Sequence, residues 1–241
     1  MIKNKFKYII CMVILLSVIL LDTNSKVLAA SETKAEFTMK KDKEIYKDKA
    51  GKIRGVVYFQ YPEMKGESEA AKKINEFLKS ESETYMQSEN AQSLKDYTEG
   101  AIKSNSFYTA EDQYYYKTIC KVTYNDNSII SLHMKECWYA GGVYNQTDYG
   151  YTFDLKSGAV LGIKDLVSGD AASIKNKILT AGKKYLTSDS GFDQSAYNSI
   201  KSYKLKDYKF YLSKGKIYIC FGSYELGRGT SWDIFSIKSK Y

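Results

Sequence analysis

Trp138, Tyr139, Tyr144, Tyr149 and Tyr151 crowd around the pair Gly141-Gly142 within one short stretch. Flat rings with polar tips can stack on sugars or anchor a protein partner, and glycines allow close backbone approach. The same spacing also suits a strand pair whose alternate rings pack the sheet around a turn or bulge, and residue by residue that plainer reading is favoured. Arg228, between Gly227 and Gly229, is a further binding candidate. Catalytic signals are sparse. His133 is the single histidine, so no two-histidine zinc site can form, and the cysteines lack CxxC spacing. There is no G-x-S-x-G elbow and no phosphate loop. His133 and Cys137 share a strand face, but four strand residues hold them about 13 Å apart, beyond hydrogen-bond reach. Glu136, Asp148, Asp154, Asp165, Glu225 and Asp233 fall near predicted strand ends. Their spacing singles out no pair for glycoside hydrolysis. No catalytic residue, metal site or cofactor is expected.

The elements that must carry these residues are legible in part. The chain has 23 tyrosines and one proline, Pro62, a composition that favours half-buried strands. Residues 31–52 are rich in lysine and glutamate and read as a loose, flexible leader or an edge segment. Ile53 to Tyr61 alternates as a strand ending at Pro62. Ser68 to Met86 reads as a helix, with Ser68 as N-cap and Ile74, Phe77, Leu78 and Tyr85 on one face. Residues 87–112 either extend it or hold a second helix near 93–103. Tyr114 to Tyr139 reads as a hairpin with residue 120 opposite residue 134 and a three-residue loop at 126–128. In that register Cys120 faces the core and Cys137 points away, which argues against a disulfide between them. Tyr149–Leu155 with Ala159–Ile163 reads as a second hairpin. A second main helix spans Ala171–Leu186 behind Asp170. Asp207–Leu212 with Lys216–Phe221 forms a third hairpin, and Trp232–Lys238 a last strand. The pattern is α+β: antiparallel hairpins packed with two main helices, in two tandem α/β subdomains at 53–145 and 146–241.

The N-terminus predicts export. Lys3, Lys5 and Lys7 precede an apolar run from Tyr8 to Leu21 broken only by Ser17, and Val27-Leu28-Ala29-Ala30 offers a cleavage site. Residues 1–30 thus read as a signal peptide. The run is shorter than the roughly 20 residues of a membrane span, so cleavage is favoured over an uncleaved anchor, and the membrane is a partner only in the second case. Cys11 lies inside the run, against a lipoprotein anchor. The formal charge is +8. Four lysines and one aspartate leave with the signal, so the mature part carries about +5. That suits an anionic wall or a plain lysine-rich surface, and no basic run argues for nucleic acid. Cys120, Cys137 and Cys220 remain, an odd number that leaves one thiol unpaired in a monomer.

Several of these stretches resemble a known family. Tyr151-Thr152-Phe153-Asp154-Leu155-Lys156-Ser157-Gly158, followed by Leu161-Gly162-Ile163-Lys164-Asp165-Leu166, resembles the hallmark of an extracellular domain of unknown function in the anti-sigma-V factor RsiV and its relatives. Tyr61-Pro62, Ile74-Asn75 on a helix, and Trp138-Tyr139-Ala140-Gly141-Gly142 are similar to the companion domain shared by RsiV and the non-catalytic part of the peptidoglycan deacetylase PdaC. Tyr218-Ile219-Cys220-Phe221 and Tyr224-Glu225-Leu226 fit the family's final hairpin. The resemblance spans about residues 53–238. It departs at the glycine pair, where Val143-Tyr144 replaces the family's Ala-His. Only seven residues precede the apolar run, so anti-sigma activity is not expected. The resemblance implies an exported, non-catalytic binding module at the envelope of a Gram-positive bacterium, taking peptidoglycan glycan or a wall-directed protein such as lysozyme. Two alternatives stand beside it. One is a wall hydrolase with carboxylates facing across a cleft; the other is a structural surface protein cross-linked through its odd cysteine.

Overall fold

The computed structural model describes residues 34–107, 112–142, 144–188 and 191–241. The expected signal at 1–30 lies outside them. The lysine-rich stretch is an edge strand over most of its length, not a flexible leader: Phe37–Lys47 (β1) pairs antiparallel with Ile53–Met64 (β2). β1 is exposed along nearly its whole length, and its charges suit an edge that must not recruit other chains. β2 runs two residues past Pro62, where it has already outrun its neighbour on the other side.

Two helices follow. Glu69–Met86 (α1) starts where Ser68 accepts from the Ala71 amide, and it buries Ala71, Ile74 and Leu78. Ser88 then caps Glu89–Ser104 (α2), which buries Ala91, Leu94 and Ala101. The open choice at 87–112 is thereby settled as a second helix. Because the chain crosses over through helices, Tyr114–Asp126 (β3) lies parallel to β2, the exception to an otherwise antiparallel pattern.

The hairpin of β3 and Ile129–Tyr139 (β4) has the expected register, with Cys120 opposite Met134. Its loop is two residues, not three. Asn127 and Ser128 both have positive φ (52° and 58°), the primed turn of a tight hairpin, and a bulge between Val122 and Tyr124 absorbs the odd residue. Tyr144–Asp154 (β5) completes the sheet in the order β1-β2-β3-β4-β5. It starts at Tyr144 rather than Tyr149 and pairs with β4. The expected return strand at 159–163 shrinks to a bridge between Phe153 and Val160, and Ile163–Leu166 (α3) is a helical turn. A boundary at residue 145 falls at the start of β5, inside the first sheet.

Ala171–Tyr185 (α4) is capped by Asp170, as expected. The short ribbon Thr187–Ser188 (β6) with Gly191–Phe192 (β7), and the helix Gln194–Ser202 (α5), have no counterpart in the sequence reading. The long helices are therefore four, not two. Lys209–Ser213 (β8), Lys216–Phe221 (β9) and Asp233–Lys238 (β10) form a second sheet, ordered β10-β9-β8. The architecture is α+β. One core joins Ile74, Leu78 and Leu94 to Phe59, Leu132 and Met134; another joins Ile174, Ile178 and Ile200 to Ile217, Ile219 and Phe221.

The two sheets meet where β8 crosses β4 and β5. At Gly150 any Cβ would collide with the Leu132 and Phe210 carbonyls, the latter at 2.6 Å, so only glycine permits the approach. The edge of β8 finds hydroxyl partners. Leu212 N donates to Ser131 Oγ (2.9 Å), and Thr123 Oγ1 donates to Leu212 O (2.7 Å). Among the described residues no helix is long and apolar enough to cross a membrane.

Candidate functional site

Residues alternate between the two faces of β4 and β5, and the faces differ in kind. Glu136 and Trp138 of β4, with Asn145, Thr147, Tyr149 and Tyr151 of β5, face α1 and α2. A cavity of about 370 Å³ opens there between the strands, α2 and the 222–229 loop. Glu136, Trp138 and Asn145 line it, with Tyr97 of α2 and Tyr224 of the loop at its rim. Tyr97 is 59% exposed and Tyr224 56%, unusual for aromatic residues so close to a core. Tyr97 meets Trp138 edge to face at 5.9 Å.

The loop is pinned to β5. Ser223 N donates to Gln146 O (2.9 Å), and Gln146 N donates to Ser223 Oγ (3.0 Å). Glu225 holds the loop from beneath, accepting from Gly222 N (2.5 Å), the Tyr203 hydroxyl (2.8 Å) and Lys209 Nζ (3.1 Å). Burial would raise the Glu225 carboxyl, but these donors hold it below its ordinary range. Gly222 is required because a Cβ there would strike Thr147 Oγ1. Tyr224 sits at φ 65°, a left-handed conformation costly for an aromatic residue. The pinned loop thus presents its ring at the cavity mouth.

Polar groups on this face lack partners. Five buried side-chain N or O atoms among the described residues have no hydrogen bond: Tyr85 Oη, Thr118 Oγ1, Trp138 Nε1, Asn145 Oδ1 and Asp233 Oδ2. Trp138 and Asn145 line the cavity; Thr118 lies directly opposite Glu136, and Tyr85 stacks on Tyr116, the residue opposite Trp138. An unmade buried hydrogen bond costs about 1–3 kcal/mol, so such a cluster asks for a reason. Burial also lifts the Glu136 carboxyl above the ordinary glutamate range, with the Tyr116 hydroxyl and the Lys209 charge acting the other way.

The opposite face is polar and satisfied. Cys137 contacts the Tyr144 hydroxyl (3.3 Å), which donates to Gln146 Oε1 (2.8 Å). Gln146 Nε2 donates to Asp148 Oδ2 (2.6 Å), and His133 Nε2 meets Asp148 Oδ1 (2.5 Å). The single Tyr144 proton is committed to Gln146, so the Cys137 thiol is the donor to Tyr144. His133 stacks on Tyr211 of β8 at 4.3 Å. Cys137 and His133 are thus linked through three side chains and do not touch.

The aromatic group singled out in the sequence is split by this alternation. Trp138, Tyr149 and Tyr151 face the helices. Tyr149 and Tyr151 pack edge to face at 5.7 Å, and Tyr151 donates to Glu81. Tyr139 packs against Tyr115 on the other face, and Tyr144 joins the polar chain. Gly141 turns the hairpin at φ 79°, packed against Tyr114, and Gly142 follows it in the turn. Arg228 is engaged elsewhere, donating to Asp233 (2.6 Å) and lying 3.8 Å from Asp193. Of the eight residues, Trp138 alone lines the cavity. Tyr97, Glu136, Asn145 and Tyr224 were missed as its companions. The hairpin register could have supplied Asn145, which sits opposite Trp138.

The carboxylates scatter. Asp154 holds a turn, Asp165 caps α3, Asp148 is paired with His133, and Glu225 pins the loop. The cavity lining holds one carboxylate, Glu136, so the pair a glycosidase uses is not brought together there. Among the described residues no group of three or more His, Cys, Asp or Glu side chains is placed to hold a metal ion. Cys120, Cys137 and Cys220 are free and buried.

Residues 55–144 match the family model described as Deacetylase PdaC. This PdaC-like stretch contributes α2, β3 and β4 to the cavity and stops at the first residue of β5. Two solved structures share the fold over most of the chain. A DUF3298 family member from Bacteroides fragilis is 16% identical, covers 86% of this chain and 92% of its own, and superposes with a TM-score of 0.56. A DUF3298 family protein from Pseudomonas aeruginosa is 13% identical, with coverage of 84% and 91% and a TM-score of 0.51. At these identities the likeness is one of fold. The resemblance expected from the sequence is met in both parts. No curated protein matches the chain.

Proposed function

We propose that this protein is an exported, non-catalytic binding domain that recognises glycan of the cell envelope, with the cavity between α2, β4–β5 and the 222–229 loop as its site. The observation that carries the reading is the pairing of exposed Tyr97 and Tyr224 with the unpartnered Trp138 Nε1 and Asn145 Oδ1. Exposed rings suit the faces of sugar rings, and unpaired donors and acceptors suit their substituents. The PdaC-like stretch supports a wall context, since that family's printed description is of a deacetylase. Net positive charge disfavours a basic protein such as lysozyme as partner and suits an anionic wall.

The test is co-sedimentation of the purified protein with insoluble peptidoglycan across a salt series. Retention that survives moderate salt and falls in Tyr97→Ala is the expected result. Loss of all retention at moderate salt would show that lysine charge alone was touching the wall, and the reading would fail.

A further inference from the structure

We infer that the cavity selects its sugar by an acetamido group, with Trp138 Nε1 donating to the acyl oxygen and Asn145 Oδ1 accepting from the amide N–H. This rests on the glycan reading above and narrows it to N-acetylated sugars. Trp138 and Asn145 are direct partners across β4 and β5, so their Cβ atoms stand about 5 Å apart on one face. One presents a buried donor and the other a buried acceptor, and neither has a protein partner. A water-filled cavity could hydrate either atom, yet both are closed to bulk solvent in the free protein.

The ligand group that satisfies both must carry one acceptor and one donor. A secondary amide does, on opposite edges of one rigid plane. A sugar hydroxyl can also serve both, but it lacks the remaining feature, an apolar methyl. The edge-to-face pair of Tyr97 and Trp138 supplies apolar ring surface for that methyl, beside polar groups from Thr147 and Ser223. A volume of about 370 Å³ is near the lower limit for small-molecule sites and fits one substituted ring rather than a long chain. Tyr224, fixed at the mouth by its pinned loop, is placed to stack on the neighbouring unit.

Isothermal titration of the protein with chitotriose and with cellotriose tests the assignment, since the two differ in the acetamido group alone. Chitotriose is expected to bind at least about tenfold tighter, a difference one good hydrogen bond can supply. Trp138→Phe keeps a ring and removes the donor. It should bring chitotriose down to the cellotriose level while leaving the thermal midpoint unchanged or raised, because an unpaired buried donor has gone. A role for Trp138 in packing alone predicts the opposite, a lower midpoint with the preference intact, and would overturn the proposal. Equal binding of the two sugars would overturn the acetamido assignment and leave the glycan reading standing. Binding of neither, with retention on peptidoglycan lost as well, would remove both.

Discussion

The two faces of β4 and β5 are built from the same two strands, residue by residue in alternation, and they treat buried polar atoms in opposite ways. On the face under β8, Cys137, Tyr144, Gln146, Asp148 and His133 form one chain in which each donor has its acceptor. On the face under α2, Trp138 and Asn145 are unpaired beside a cavity, and Glu136 is a carboxylate held above its ordinary range by burial. Burial alone therefore does not separate structure from function here. Satisfaction does. A closed network stabilises a sheet contact, whereas an open one beside a cavity is a site kept incomplete until something enters.

The comparison can be broken most forcefully at Asp148, which takes both neighbours and is almost wholly buried. Asp148→Ala should cost about 3 kcal/mol, because His133 and Gln146 lose their acceptor inside the contact. Urea unfolding measures it, and wall binding by the folded fraction should be unaffected. Loss of binding without loss of stability would place the site on the wrong face. Ser131→Ala should follow at about 2 kcal/mol, since Leu212 N would be left unpaired under β8. The cavity face should respond in the reverse sense. Tyr224→Gly removes the exposed ring and its left-handed strain together. Stability should stay within about 0.5 kcal/mol, with retention on peptidoglycan reduced about fivefold. A large stability loss would make Tyr224 a structural residue.

Local chemistry made the fold legible wherever one residue decided an element. Ser68 and Asp170 start their helices as expected, and Cys120 sits opposite Met134 because the apolar alternation admits one register. What escaped depends on contacts distant in sequence. β1 is polar enough to pass for a leader and is a strand only because β2 offers it an edge. The parallel pairing of β2 with β3 follows from how two helices pack, which no single stretch reports. The site was half legible for the same reason. Trp138 stood out by type, and the rings near it in sequence drew attention with it. Its companions in space, Tyr97 and Tyr224, come from 41 residues before it and 86 after it. Alternation sent Tyr139 and Tyr144 to the other face, a consequence available from the register and not from clustering.

The smallest effect is the one that sharpens the comparison most. Burial raises the Glu136 carboxyl, so the folded protein holds its proton to a higher pH than the unfolded chain does. Its contribution to stability is therefore fully present below the unfolded value and is lost as pH rises through the folded one. Glu136→Gln is uncharged throughout and close in shape to the protonated acid. Wild type and variant should thus unfold at nearly the same urea concentration in mild acid. They should separate as pH rises towards neutral, with the variant the more stable. Asp148→Asn on the other face should show the opposite ordering at neutral pH, because there the carboxylate accepts from Gln146 and meets His133. If Glu136→Gln instead lost stability with rising pH, the pull of Lys209 would outweigh burial, and Glu136 would belong with the satisfied groups rather than with the open site.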